Sequence, residues 1–407
     1  MNALMTEPPG RLPPILAMAP NAWEGPWMNR QQILSRLSAD AAGIVYTTGA
    51  WSNWDRHEDA WRHAAVFGRL DHKDGVSLDR PPKWLLRFPA HPVLDRIALR
   101  VASRRYARLM QQTFGRPFVL MVYHPQFAAY AQRLQPDLLV YYAYDLYERT
   151  PGWSAQAAAQ ERWLLRHAQL RIASSEPIAA RLAAVSDMPV RVLPNGADVQ
   201  AFQRALRARS VPDDIAHLPA PRIGYIGSLN RKIDFALIAE LARRRPEWSF
   251  VLLGPLGSLD DAAHDGLTAC RRQANVHELG PRAHHDVPPY VANLDVALMP
   301  YRLGADLWSD AGYPLKLHEY LAAERPIVSS RLPSLEPFAD VLEFAESAAE
   351  WDARIDAALN AGAPETAKSL QIATAHDWSR LTHQLRDWIS ETLEEGQQAP
   401  YRRARGA

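Results

Sequence analysis

Residues 312–330 read GYPLKLHEYLAAERPIVSS, which sets a proline, a lysine, a glutamate, a helical apolar stripe and a strand in one short segment. A helix starting near Pro314 is expected, because proline is tolerated in a first turn that does not need its missing N–H. Leu315, His318 or Glu319, and Ala322 fall at three- and four-residue steps and would give that helix one packed face. A lysine beside a helix N-terminus, whose free N–H groups already favour anions, makes a phosphate site of Lys316. Glu319, one turn along, can accept hydrogen bonds from sugar hydroxyls. Together they suit a nucleoside diphosphate with its ribose. The same spacing also describes a solvated i,i+3 ion pair worth only a few tenths of a kcal/mol. The rest of the chain has to decide between them.

Short apolar runs alternate with helical stretches on both sides of this segment. In the first half Ile15 to Ala19, Ile44 to Tyr46, Phe118 to Tyr123, Leu138 to Tyr142, Leu170 to Ala173 and Val190 to Leu193 read as strands. Helical periodicity runs from Arg30 to Ala39. Residues 50–116 fit the alternation poorly and read as an insertion. Around Pro212, Pro219 and Pro221 the pattern lapses, as in a linker. It restarts with Arg222 to Ile226, Phe250 to Leu253, Val276 to Leu279, Val296 to Met299 and Pro326 to Ser329. Continuous apolar strands alternating with helices imply an α/β chain with two doubly wound parallel sheets.

The 407 residues, 47% hydrophobic and 22% charged, suit two soluble globular domains. No apolar run is long enough for a transmembrane helix, and the first residues lack the pattern of a secretory signal. A single cysteine, Cys270, excludes an internal disulfide framework, so a cytoplasmic location is expected. The net charge of +1 advertises no polyanionic partner, and no basic–aromatic pattern suggests nucleic acid. Charge is uneven, however. Arg96, Arg100, Arg104 and Arg108 step by four beside an apolar row of Val93, Ile97 and Val101. Residues 80–116 therefore read either as a peripheral contact on the inner face of the plasma membrane or as a solvated helix face.

Open parallel sheets bind ligands beyond the carboxyl ends of their strands. In the second half those ends carry Gly227, Ser228 and Arg231, then Gly254-Pro255, Gly280-Pro281 and Pro300-Tyr301. Gly227 permits close backbone approach, and Ser228 with Arg231 can meet a pyrophosphate. No dinucleotide fingerprint, Walker A loop, G-x-S-x-G elbow or H-E-x-x-H helix occurs. The absence of D-x-D argues against a carboxylate-held metal, so neither metal nor cofactor is expected. In the first half Asp145, just beyond a strand end, is a candidate general base on an acceptor hydroxyl, or else a turn cap. His124 stands at another strand end, where a lone histidine is more often structural. The loop Trp23, Glu24, Gly25 supplies further acceptor candidates.

Arg222 to Ser228, Arg245 to Phe250, Asn275 to Pro281 and Tyr313 to Ser330, with Glu161, Ala173-Ser174-Ser175 and Leu193 to Asp198, occur in a telling order. By them the chain resembles bacterial group 1 glycosyltransferases of the GT-B fold that assemble surface polysaccharides. The likeness covers about residues 135–340. It implies two Rossmann-like domains facing across a cleft. Residues 1–200 would be the acceptor domain with the insertion at about 50–116, and 201–220 the linker. Residues 221–374 would bind the nucleotide sugar, 375–395 would form a helix returning to the first domain, and 396–407 a flexible tail. The resemblance places Glu319 on the ribose, Lys316 at the diphosphate, where it would act in catalysis with Asp145, and Gly227, Ser228 and Arg231 on the first phosphate-facing loop. Pro314 and Tyr301 complete the donor set.

Group 1 enzymes often carry two glutamates separated by seven residues, and the earlier position here is Ala311. The placement of Asp145 resembles the base of an inverting glucuronosyltransferase, whereas the overall pattern resembles retaining families. The expected activity is transfer of a sugar, of hexosyl or glycuronosyl type, from a nucleotide-diphosphate donor to a glycan or lipid-linked acceptor. A sugar-nucleotide epimerase or a non-catalytic binding relative are the alternatives on the same architecture.

Overall fold

The computed structural model describes residues 11–115, 117–150, 152–304, 312–361 and 366–405. The chain divides into two compact units, Met1–Leu193 with Thr382–Ala407, and Pro194–Leu381. Unit 1 opens with β1 (Ile15–Met18), α1 (Asn29–Leu37), β2 (Ile44–Thr47), β3 (Trp51–Ser52) and α2 (Asp59–Arg62). Next come β4 (Arg69–Lys73), β5 (Val76–Arg80), β6 (Leu86–Arg87), α3 (Pro92–Thr113), β7 (Val119–Val122) and α4 (Ala128–Leu134). It continues with β8 (Leu138–Ala143), α5 (Ala155–His167), β9 (Leu170–Ala173), α6 (Glu176–Ser186) and β10 (Arg191–Val192). The strands form a sheet of order β10-β9-β8-β7-β1-β2-β5-β4, parallel except for the β4–β5 hairpin. β1, β2, β7, β8 and β9 are buried at every position, which is why, Thr47 and Arg171 apart, they are runs of apolar and tyrosine residues rather than alternating.

Unit 2 begins with α7 (Val199–Ala208), α8 (Asp213–Ala216), β11 (Arg222–Ile226), α9 (Phe235–Arg244) and β12 (Ser249–Leu253). α10 (Asp261–Arg271), β13 (Val276–Gly280), α11 (Val287–Ala292), β14 (Val296–Met299), α12 (Lys316–Ala322) and β15 (Ile327–Ser329) follow. β16 (Glu343–Phe344), α13 (Ala348–Ala361), α14 (Thr366–Ala375) and α15 (Trp378–Arg405) complete the chain, and α15 groups with unit 1 from Thr382 onward. The sheet order is β13-β12-β11-β14-β15-β16, all parallel. Both units are thus Rossmann-like.

Several sequence expectations need correction. Residues 201–220 are not a bare linker. α7 fills the first part, capped by the Asp198 carboxylate accepting from Ala201 N–H, and Phe202, Ile215 and Leu218 are buried in the core of unit 2. Pro212-Asp213-Asp214 reads as a breaker but is a helix start. Residues 50–116 are not simply inserted, because β5 pairs with β2 and extends the main sheet. α12 starts at Lys316 rather than Pro314, and it buries Leu317, His318, Tyr320, Leu321 and Ala322 while Leu315 stays half-exposed. The tail is helical through Arg405, since extending an established helix gains a hydrogen bond for each residue fixed.

Candidate functional site

In unit 2 the site grows from the junction of β11 with α12. Tyr320 is fully buried, and its hydroxyl accepts the Ile226 N–H at 3.0 Å, which ties α12 to the end of β11. Lys316 lies one turn earlier on the same helix face. It is therefore delivered beside Gly227, the residue that follows β11. Gly227 adopts φ 153°, and a β carbon there would overlap Lys316 Cε and Nζ. Gly254, at φ 150° beyond β12, is needed for the same reason, since its β carbon would overlap the Gly227 carbonyl. The two loops are laced by Gly227 N–H to Leu253 O (2.7 Å), Leu229 N–H to Pro255 O (2.9 Å) and Arg231 N–H to Ser258 O (3.0 Å).

Lys316 Nζ lies 5.3 Å from the centre of the Tyr225 ring, within cation–π range. Among the described residues its ammonium makes no hydrogen bond or ion pair, and neither does the Glu319 carboxylate. Burial pushes the Glu319 carboxyl up to about 7 while the Lys316 charge works against that rise. Burial likewise lowers the Lys316 ammonium, and Glu319 counters it. An ammonium, and a carboxyl lifted to about 7, both without hydrogen-bond partners among the described residues and set over a glycine, can receive an oxyanion and a hydroxyl. Tyr301 is buried, with its ring edge-on to Tyr225 at 6.4 Å. Ser228 Oγ accepts from Asn230 Nδ2 at 3.2 Å. Pro314 is buried just ahead of α12, whereas the Arg231 side chain is exposed.

In unit 1 the candidates separate. Trp23 is buried, donates from Nε1 to Asp74 Oδ2 at 2.9 Å and packs edge-on against Tyr46 at 5.0 Å. Glu24 is gripped by Arg80, which holds its carboxyl below the usual range. Both line a cavity of about 330 Å3 with Tyr46, Trp51, Asp79 and Arg80. Gly25 only closes a turn onto Ala22 O at 3.3 Å. His124 is not in that cavity. Its Nδ1 accepts Gln126 N–H, its ring meets Tyr147 edge-on, and burial depresses it to about 4, so it is neutral at physiological pH. Asp145 is half-buried and accepts Leu146 N–H at 2.9 Å, as the turn reading expects. Glu161 is buried and accepts the Tyr141 hydroxyl at 2.7 Å. Among the described residues no group of three His, Cys, Asp or Glu side chains is placed to hold a metal ion.

Residues 220–355 match the family described as glycosyl transferases group 1. Those residues are a group 1 glycosyltransferase domain. A stretch of 171 residues is 34% identical to the putative teichuronic acid biosynthesis glycosyltransferase TuaH of Bacillus subtilis (strain 168). That match covers 40% of this chain and 41% of the relative, which is less than two thirds of either. Sucrose-phosphate synthase from Thermosynechococcus elongatus superposes with a TM-score of 0.61 at 14% identity, over 97% of this chain and 100% of that one. A trehalose-6-phosphate protein from E. coli bound with UDP-2-fluoro glucose gives 0.62 at 12% identity, over 93% and 99%. These likenesses show the fold, which is GT-B.

Within the group 1 domain the structure brings Gly227, Ser228, Lys316 and Glu319 together, with Tyr301 behind Tyr225. Sequence reasoning missed Tyr225, which faces Lys316, and Gly254, whose lack of a side chain lets the Gly227 loop close. Gly254 was visible as a strand-end glycine; Tyr225 carried no signal, being one more apolar position in a buried strand. The expectation that Ala311 replaces an acid falls outside the described residues.

Proposed function

We propose that this protein transfers a sugar from a nucleotide-diphosphate donor to a glycan or lipid-linked acceptor. The group 1 domain would hold the donor. The observation that carries this is the pair Lys316 and Glu319, set against Gly227 and without hydrogen-bond partners among the described residues. Lys316 would lie on the diphosphate with the Gly227 and Ser228 backbone beside it, and Glu319 would accept from the ribose. As the bond to the anomeric carbon breaks, negative charge grows on the departing diphosphate, where a preorganised ammonium needs no reorganisation to meet it. No metal is required in this reading. The E. coli neighbour holds a UDP sugar, which supports a nucleotide sugar as the class of donor.

The acceptor would use unit 1, in the cavity with Trp23, Glu24, Tyr46 and Trp51, where aromatic faces can cover sugar C–H groups. Asp145 would take the proton of the acceptor hydroxyl. α3 supports a lipid-linked acceptor. Val93, Leu94, Ile97 and Val101 are exposed on it, and Arg96, Arg100, Arg104 and Arg108 are exposed beside them without ion pairs among the described residues. Such a face suits an anionic bilayer, at about 1 kcal/mol per basic residue near the surface. No helix among the described residues is long and apolar enough to cross a membrane.

Thermal unfolding with UDP-, GDP- and CDP-sugars tests the donor reading. One nucleotide class should stabilise the wild type by about 2.7 kcal/mol at a hundredfold excess over its Kd, and Lys316→Ala should lose most of that. Stabilisation by none of them would refute it.

A further inference from the structure

We propose that Arg30 in unit 1 binds an anionic group of the acceptor, a phosphate or a carboxylate, beyond the carboxyl ends of β1, β2 and β7. This deepens the transferase reading above and rests on it. Arg30 is 1% exposed, and among the described residues it forms no ion pair. Its Nε donates to the Tyr46 hydroxyl at 3.2 Å, but Nη1 is buried with no hydrogen-bond partner. The Tyr123 hydroxyl, a possible donor, is also buried and without a partner among the described residues. A guanidinium taken out of water without a counter-charge is costly, and folded proteins keep one chiefly where something binds it.

The surroundings point the same way. Arg30 is in the first turn of α1, a nine-residue helix whose free N–H groups add positive potential. Gln31 fixes that turn by accepting Met28 N–H at 3.1 Å and donating to Trp23 O at 3.3 Å. β1 lies between β7 and β2, so the chain leaves it toward β2 on one side while β7 arrives on the other. That is the topological switch point where open α/β sheets bind ligands. The Arg30 guanidinium is 5.4 Å from the Tyr144 ring centre, and burial keeps the Tyr123 and Tyr144 hydroxyls neutral, hence able to serve an oxyanion as donors.

The local acids are already engaged. Glu24 is held by Arg80, Asp79 by Arg105, and Asp145 takes the Leu146 N–H. None of them supplies the missing charge. Tyr46 connects this group to the acceptor cavity, because its ring lines the cavity while its hydroxyl receives Arg30 and donates to Asn21 O at 2.5 Å. An acceptor sugar in the cavity would thus direct a charged substituent toward Arg30.

The test is calorimetric titration of the full chain, saturated with UDP so that the donor site is filled, with inorganic phosphate and separately with glucuronate. At least one of the two should bind the wild type, and which one binds distinguishes phosphate from carboxylate. Arg30→Met should weaken that binding roughly 10- to 100-fold, the usual worth of charge-assisted hydrogen bonds. The melting temperature without ligand should stay level or rise, because an uncompensated buried charge is gone. If Arg30→Met does not fold, Arg30→Lys keeps the charge but not the planar fork, and about tenfold weaker binding is expected. Failure of both anions to bind the wild type at millimolar concentration overturns the proposal, as does unchanged binding in the folded variant. Absence of any response to UDP, GDP and CDP alike would sink the transferase reading alone. The anion titration, repeated in Lys316→Ala without UDP, would then still decide the role of Arg30.

Discussion

The carboxyl of Glu319 offers a direct test of the electrostatics at the donor site. Burial raises it from an ordinary 4.5 to about 7. Between those values the folded protein holds a proton that the unfolded chain has lost, so stability falls as pH rises and levels off above 7. At 1.36 kcal/mol per unit, that displacement amounts to about 3 kcal/mol as an upper value. For a unit of this size it corresponds to a fall in Tm of about 6–12 °C. The assay is thermal unfolding of wild type and Glu319→Gln from pH 4.5 to 8.5. The neutral amide should remove this part of the pH slope, so the variant should gain on the wild type as pH rises. Lys316→Met supplies a control of opposite sense. Removing the ammonium that opposes the shift should push the Glu319 carboxyl higher and extend the loss to more alkaline pH. Identical pH slopes in wild type and Glu319→Gln would refute the desolvated carboxyl on which the site rests.

Gly227→Ala should displace Lys316 and weaken nucleotide binding by tenfold or more, measured by titration with UDP, because the added carbon overlaps the lysine side chain at a φ that only glycine tolerates. Asp145→Asn should lower sugar transfer about 100-fold or more with donor binding intact, followed as UDP release; full activity would remove Asp145 from the role of base. Reversing Arg100, Arg104 and Arg108 to Glu should abolish sedimentation with phosphatidylglycerol vesicles while leaving the melting temperature within a few degrees, since these side chains are exposed and form no ion pair among the described residues.

What the sequence disclosed and what it hid follow from how far apart the partners lie along the chain. The parallel sheets were legible because each buried strand is a short apolar run with a turn after it, and Lys316 and Glu319 were legible because one helical turn relates them. The β4–β5 hairpin was equally local and was overlooked. Asp74-Gly75, with φ of 52° and 77°, joins two strands as an Asp-Gly turn should, but β4 (RLDHK) lacks the apolar run that marks the buried strands. The remaining features depend on contacts between distant elements. Tyr225 matters only because the bond from Ile226 to Tyr320 delivers Lys316 to it, and no periodicity within β11 records that.

Arg30 shows the same limit from the opposite direction. On a periodic plot it is one polar residue at the start of an amphipathic helix, where a solvated charge is the natural expectation. Folding removes it from water, because α1 packs its first turn against the ends of β2 and β8 with Tyr46 and Tyr144 around the guanidinium. Beyond the carboxyl ends of its parallel sheet each unit therefore carries a cation that forms no ion pair among the described residues, Lys316 in one, with only the Glu319 carboxyl acting on it, and Arg30 in the other. A stability-driven core would have neutralised or replaced the buried Arg30. These two cations are the physical ground for proposing an anionic ligand for each unit, a diphosphate for the second and a charged acceptor for the first.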